Sequence, residues 1–288
     1  DYADPTIVRV GDEFFMTHTS YGYYPGLLIW RSKDLKSWTP VTRVLNENVG
    51  TVWAPDITHV DDTFYIYFPT DRGSNYVMKA TDIAGPWNGP VKIDVDGIDP
   101  GHIVDEQGKR YLYVNGGRYV PLTMDGMTAV DREKFVYPGW DIPADWAVEC
   151  HCLESPKLFR HNGYYYMVSA QGGTSGPSTS HMAVVARSRN VDGPWENSPY
   201  NPLIHTYDPA DEWVSKGHAT LFDDTDGNWY AVYHAYRRDQ RPQGRSTLIQ
   251  PVKWTDDEWP VLDTAGGEVY RAHTNTRLRS DDFESEKL

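Results

Sequence analysis

Cysteine is nearly absent from this chain: two residues in 288, Cys150 and Cys152, flank His151. So few exclude a disulfide-stapled scaffold. On a strand the two thiols would share a face, where a bridge between them would be strained. A Cys-His-Cys metal site lacks the second ligand pair that zinc spacing calls for. We therefore read them as free structural thiols, which favours a reducing or disulfide-free setting. No apolar run approaches the ~20 residues of a membrane-crossing helix, so no membrane partner is expected. Basic residues are outnumbered, 27 Lys and Arg against 41 Asp and Glu, for a net charge of −14. With no basic cluster to neutralise phosphates, nucleic acid is not an expected partner. A secretory leader is not visible either. The chain opens at Asp1, three residues before its first motif, so its native start is expected upstream. The compartment stays open among secreted, periplasmic and cytoplasmic. Helical periodicity is scarce, and one turn over 125–135 is all that is expected.

Aromatic residues are plentiful, 14% of the chain with 11 Trp and 20 Tyr. This suits an all-β protein whose rings pack between sheets, and it also suits a sugar-binding surface. A pattern recurs along the chain. Cys152-Leu153-Glu154-Ser155-Pro156-Lys157-Leu158-Phe159 leads through His161-Asn162-Gly163 to an aromatic run at Tyr164–Val168. Asn-Gly between two β-rich runs is a hairpin signal. Copies begin near Asp4-Pro5, Ala54-Pro55, Asp99-Pro100, Glu154 and His218-Ala219, the last without its proline. A period of roughly 45–65 residues built from short strands is the signature of a propeller. Five copies predict an all-β, five-bladed β-propeller over residues 1–280, with 281–288 a linker or the start of another module. Arg31–Trp38, Ala80–Trp87 and Arg187–Trp195 each end a polar turn in tryptophan. They read as outer hairpins whose tryptophans pack blades. Two polar loops, 172–181 and 237–245, follow inner hairpins and would rim the channel.

Three copies open with a carboxylate: Asp4, Asp99 and Glu154. Equivalent positions of a propeller converge on one channel, so residues far apart in sequence would meet there. Two carboxyl groups across a channel are the minimal equipment for glycoside hydrolysis, one protonated to help the leaving oxygen and one ionised to activate water or attack carbon. A third nearby can hold the acid's proton by like-charge repulsion. The plainer reading is that Asp-Pro and Glu-Ser-Pro simply begin strands, since these are common turn residues. Recurrence at three of five copies favours function.

Taken together, Ala3–Asp12, Trp53-Ala54-Pro55-Asp56, Gly97-Ile98-Asp99-Pro100, Glu154–Leu158, Gly217-His218-Ala219 and Gly244-Arg245 resemble glycoside hydrolase family 43, over residues 3–263. The resemblance implies a five-bladed propeller and an inverting mechanism. It implies Asp4 as general base, Glu154 as general acid and Asp99 as the group tuning the acid. His218 matches a channel histidine that faces a cation or water, which implies one calcium ion there and no organic cofactor. Arg245 matches a sugar-contacting arginine. Glu149, beside Cys150, is a rival acid, because invertase-like propellers use a Glu-Cys pair; their Asn-Asp-Pro-Asn and Arg-Asp-Pro motifs are absent here. Tyr21-Gly22-Tyr23-Tyr24-Pro25-Gly26-Leu27, Ala186-Arg187-Ser188 and Gly244-Arg245 resemble the β-xylosidase branch. Asp281-Asp282-Phe283 resembles the opening of that branch's C-terminal β-sandwich.

Tyr21, Tyr23 and Trp53 are candidates to face a sugar or to pack in the core, and His181 is a further candidate on the rim. The expected substrate is an oligo- or polysaccharide. The leading expectation is an exo-acting hydrolase releasing xylose or arabinose from plant cell-wall glycans. The alternatives are a member acting on galactan or arabinan, and a glycan-binding propeller without turnover.

Overall fold

Alternating β-branched and aromatic residues, broken by Gly, Asn and Asp turns, give short antiparallel strands throughout. The computed structural model describes residues 1–264 and the short strand Tyr270–Arg271. The expectations for 281–288 lie outside the described residues. Five antiparallel sheets follow one another along the chain, each one blade. Blade one is Thr6–Val10, Glu13–Thr17, Gly26–Ser32 and Thr39–Leu45. Blade two is Asp56–Val60, Thr63–Thr70, Ser74–Ala80 and Asn88–Ile93. Blade three is Gly101–Val104, Arg110–Val114, Arg118–Leu122 and Lys134–Phe135. Blade four is Leu153–His161, Tyr164–Gln171 and Met182–Ser188, whose far edge pairs with both Glu196–Asn197 and Ile204–His205. Blade five is Trp213–Asp223, Trp229–Arg237 and Arg245–Trp254, which pairs with Pro260–Leu262 and Tyr270–Arg271. The expected five-bladed propeller is the observed fold.

The hairpin that marks the repeat forms as its sequence dictates. His161 pairs with Tyr164, and the two residues between, Asn162 and Gly163, have φ of 47° and 76°. Two left-handed residues make the turn whose twist matches that of the flanking strands.

Each seam between blades holds its own apolar cluster. Phe15, Leu27 and Ile29 meet Ile57, Phe64 and Ile66 between blades one and two. Tyr67 and Val77 meet Leu112 and Val120 between two and three. Ile103 and Tyr113 meet Tyr165 and Met167 between three and four. Tyr166 and Val168 meet Leu221 and Tyr233 between four and five. Ile7, Phe14 and Met16 meet Phe222, Val232 and Ile249 where the last blade returns to the first. Burying each such side chain contributes about 1.5–3 kcal/mol, so the seams hold the ring together. Among the described residues no blade borrows a strand from the other end of the chain. The ring is closed instead by the seam, by Arg9 donating to both carboxylate oxygens of Asp223 at 3.2 and 3.3 Å, and by Thr220 Oγ1 donating to Pro5 O at 3.3 Å. Trp38 and Trp87 donate to Leu35 O and Ile83 O in their own turns, and Trp195 meets Tyr113 edge to face. All three pack blades, away from the channel.

Three expectations need correction. The cysteines are bonded to each other, Cys150 to Cys152. They precede the strand that starts at Leu153, so strand alternation does not apply, and their Cα atoms stand 5.2 Å apart, inside the range a bridge spans. Residues 125–135 contain no helical turn. The short helix is 3-10, at Arg238–Gln243, within the second rim loop. Glu154 is also not in strict register with Asp4 and Asp99. The residues sharing their backbone state are Ser155 and His218: Asp4, Asp99, Ser155 and His218 have φ of 57°, 56°, 52° and 56°. Glu154 stands one residue earlier and is brought to the channel by a bulge between Glu154 and Lys157, a device common beside active sites.

Gly101 shows how tightly the inner strands converge, because a Cβ there would coincide with the carbonyl of Pro156. This contact sets blade three's Asp99-Pro100-Gly101 against blade four's Glu154-Ser155-Pro156. Gly101→Ala should therefore cost on the order of 3 kcal/mol, lowering Tm by roughly 6–12 °C. Gly11→Ala meets nothing within 4 Å at φ 62° and should cost only about 1 kcal/mol of backbone strain. Differential scanning calorimetry of the two variants checks the contrast.

Candidate active site

Two of the left-handed residues, Asp4 and Asp99, precede the inner strands of blades one and three, and two, Ser155 and His218, sit at register shifts within those of blades four and five. Left-handed backbone at non-glycine residues costs about 1–3 kcal/mol apiece and persists only where surrounding structure enforces it. Here it turns Asp4, Asp99 and His218 into a common pocket of about 220 Å³, which Glu154 reaches from the bulge. Arg245, Tyr21, Trp53 and His181 complete the expected set around that pocket. Tyr21 and Trp53 are neighbours because Tyr21 pairs through both backbone bonds with Val52. Tyr23 is elsewhere: its ring is 75% exposed and faces a broader groove outside the pocket. His181 is fully buried, tucked where a side chain on Gly217 would collide with it. Glu149 does not line the pocket. Its Oε2 accepts from Ser175 N and Gly176 N, both at 2.8 Å, and so ties down the rim loop.

Asp4 is held from several sides. Thr19 Oγ1 donates to Oδ2 at 2.5 Å, and Arg245 Nη1 donates to Oδ1 at 3.4 Å. Nδ1 of His218 stands 3.3 Å from the same Oδ1. Nδ1 of His234 stands 3.1 Å from the Asp4 N and 3.2 Å from its Oδ1, and the Nε2 of that ring stands 3.2 Å from Thr174 Oγ1. Burial alone would push the Asp4 carboxyl up. His218, Arg245 and His234 outweigh it and hold the carboxyl well below the usual range. Burial presses His218 down to about 3, so at neutral pH the standing positive charge beside Asp4 is Arg245. Asp4 is thus a permanent carboxylate.

The other two carboxyls behave oppositely. Burial raises Glu154 to about 7, helped by the negative charges of Asp4 and Glu149 and opposed by Arg245. Burial, then the charges of Glu154 and Asp4, push Asp99 well above the usual range. Like charges this close in a desolvated pocket cannot both ionise readily, so the Asp99–Glu154 pair retains a proton near neutrality. One pocket therefore presents a fixed base and a proton-bearing pair.

His234 and Thr174 line the pocket and were missed in the sequence. His234 sits in a run of apolar and aromatic residues, Tyr230-Ala231-Val232-Tyr233, on the second strand of blade five, opposite Gly217. A polar ring in such a run was the available signal. His181, His234 and His218 stack in series, with centroids 5.1 and 5.5 Å apart.

The donors fit a calcium ion poorly. Asp4, His218 and His234 form one group close enough to share an ion, and Asp99, Glu154 and His218 another. Calcium takes about 6–8 oxygen ligands, whereas each group offers at most two carboxylates, with imidazole making up the rest. The first group's carboxylate already faces Arg245, whose charge opposes a second cation. His218 Nε2, buried without a partner, is a nitrogen and not a hard donor.

Burial lowers the pKa of His181 well below its ordinary 6.5, with His234 and His218 adding to the effect. Above that value both folded and unfolded chains hold it neutral. Below it only the unfolded chain takes the proton, so its share of stability is lost as pH falls, by up to about 1.4 kcal/mol per pH unit. His181→Leu should therefore lose less stability than the parent between about pH 6.5 and pH 5. Urea denaturation across that interval checks it; equal slopes would mean that His181 is protonated in the fold.

A sequence profile described as glycosyl hydrolases family 43 matches residues 1–260. A xylan 1,3-β-xylosidase of a Vibrio species is 31% identical over 300 residues, covering 91% of this chain and 55% of its own. A non-reducing end α-L-arabinofuranosidase of Bacteroides ovatus is 31% identical over 318 residues, covering 99% of this chain and 58% of its own. The crystal structure of the GH43 protein BlXynB from Bacillus licheniformis matches with a TM-score of 0.82 at 33% identity, over 94% of this chain and 57% of that one. The chain thus spans little more than half the length of these relatives. Since the profile runs from the first residue through four blades and into the fifth, the chain belongs to glycosyl hydrolases family 43.

Proposed function

We propose that this propeller is an inverting, exo-acting glycoside hydrolase that releases a single pentose, xylose or arabinose, from plant cell-wall glycans. The observation that carries the reading is the opposed protonation of carboxyls in one pocket: Asp4 held ionised beside Arg245, and Glu154 raised to about 7 beside Asp99. Hydrolysis with inversion needs this division of labour. Glu154 gives its proton to the glycosidic oxygen as the C–O bond breaks. Water attacks the anomeric carbon from the other side, and its proton passes to Asp4. Asp99, in the same desolvated pocket, is raised by burial and by the charge of Glu154, so the two hold a proton between them as a pair. Arg245 keeps Asp4 anionic. A pocket of about 220 Å³ falls below the roughly 300–1,000 Å³ of sites for larger ligands, which supports one sugar ring and exo action. Relatives named for xyloside and arabinofuranoside cleavage support a pentose.

The roles of Glu154 and Asp4 predict different failures. Glu154→Gln should lose about 10²–10⁴-fold in kcat/KM on glycosides with poor leaving groups and far less on aryl glycosides of acidic phenols, which depart without a proton. Asp4→Asn should lose on both, since water must be activated whatever leaves. Kinetics over a leaving-group series decides it. An even loss for Glu154→Gln, with the slope appearing in Glu149→Gln, would move the acid to Glu149.

A pH profile tests the same assignment. Glu154 must be protonated to act, so kcat/KM should fall as pH rises through about 7. Glu149 is one of the charges raising that value. In Glu149→Gln the alkaline limb should move to lower pH by less than about one unit, while the amide oxygen still accepts from the rim loop. A shift the other way would contradict the assignment.

A further inference from the structure

Beneath the pocket, the channel carries a second layer that the proposed mechanism does not use. Lys157 is 3% exposed, and its ammonium is fully engaged. It donates to Pro55 O at 2.8 Å, to Pro100 O at 2.8 Å and to Asp56 Oδ1 at 3.1 Å, using all three of its N–H groups. Asp56 in turn accepts from His102 N at 2.8 Å through Oδ2 and from Thr6 Oγ1 at 3.3 Å through Oδ1. One buried ion pair thus ties together the inner strands of blades one, two, three and four. The ties fall next to the pocket. Pro100 follows Asp99 directly, Thr6 lies two residues beyond Asp4, and Lys157 is on the strand that carries Glu154, just past its bulge.

We infer that Lys157 is a positioning residue: its ammonium fixes the Pro100–Gly101 peptide, next to Asp99, against the Glu154 strand, and through Asp56 it relates both to the Asp4 strand. The geometry suits this role better than stability alone. A buried ion pair is often no more stabilising than an apolar substitute, but it enforces one arrangement. Its carbonyl bonds reach the backbone, so the carboxyl side chains inherit their placement from it. The ammonium is also a cation on the Asp99 side, and it opposes the rise of the Asp99 carboxyl. This favours leaving the shared proton on Glu154.

The inference rests on the hydrolase reading, and the experiment separates the two. Lys157→Met strands Asp56 as a buried, unpaired charge and threatens folding. The informative variant is therefore the double replacement Lys157→Met/Asp56→Asn, which removes both charges. Parent and double variant are compared for Tm, for kcat and KM separately, and across aryl and alkyl pentosides. The expected result is a Tm close to the parent's, KM within a few-fold, and kcat lower by about 10²-fold, the size of effect that a shift of about 1 Å in a reacting group produces. The loss should be steeper for poor leaving groups, because Glu154 is displaced. Parental kcat in a folded double variant would overturn the positioning role while leaving the hydrolase reading intact. If the parent itself hydrolyses no glycoside, that reading falls, and crystal structures of the two proteins judge Lys157. Displacement of the Asp99 carboxyl relative to Glu154 by more than about 0.5 Å would support the role, and superposable carboxyls would overturn it.

Discussion

The site depends on one constraint: four inner strands each carry a left-handed residue, just before the strand in blades one and three and within it in blades four and five. Asp4, Asp99, Ser155 and His218 adopt φ values within a few degrees of one another. This conformation is unfavourable for side-chain-bearing residues, so packing has to hold it. The holding force comes from the seams, where apolar clusters press each blade on the next, and from contacts so close that Gly101 and Gly217 admit no Cβ. Strain at the channel and burial at the seams are two sides of one arrangement. The seams force the strand openings inward, and the openings aim polar side chains into a pocket that would otherwise be filled.

Burial at the channel then acts differently on groups of similar chemistry. Asp4, Asp99 and Glu154 all lose water, which raises each of them. Asp4 alone is next to Arg245 and two histidine rings, and their attraction outweighs desolvation. Asp99 feels the charges of Glu154 and Asp4, and Glu154 those of Asp4 and Glu149, so repulsion adds to desolvation. The imidazoles near Asp4 are driven toward neutrality by the same loss of water. They serve as shaped, polarisable walls, while the charge is carried by Arg245 above and Lys157 below. The two layers of the channel thus divide the work: the carboxyls and Arg245 line the pocket, and the Lys157–Asp56 pair locks the strands.

The rim is built to a looser standard. The loop after the second strand of blade four is held by Glu149 and leads to buried His181, and the 3-10 turn at Arg238–Gln243 precedes Arg245. The Cys150–Cys152 bond lies at the entry to the Glu154 strand. The free-thiol reading assumed a strand; the two cysteines lie just before it, in irregular backbone where they can meet.

The repeat, the hairpins, the all-β class and the three carboxylates are legible along the chain, because each is local. Turn chemistry at Asn162-Gly163, strand alternation and the Asp-Pro openings are written in adjacent residues. Motifs also carried Tyr21, Trp53, His218 and Arg245 to the pocket. Tyr23, read on the same motif, sits outside, because an exposed ring beside a turn looks no different in sequence from one turned inward. It takes the folded ring to show that Glu154 reaches the channel by a bulge rather than by register, that His234 joins Asp4 from across 230 residues, and that Lys157 ties four blades together. These depend on which backbone atoms come within hydrogen-bond reach when the ring closes. No spacing along the chain encodes that distance; the packing of blade against blade sets it.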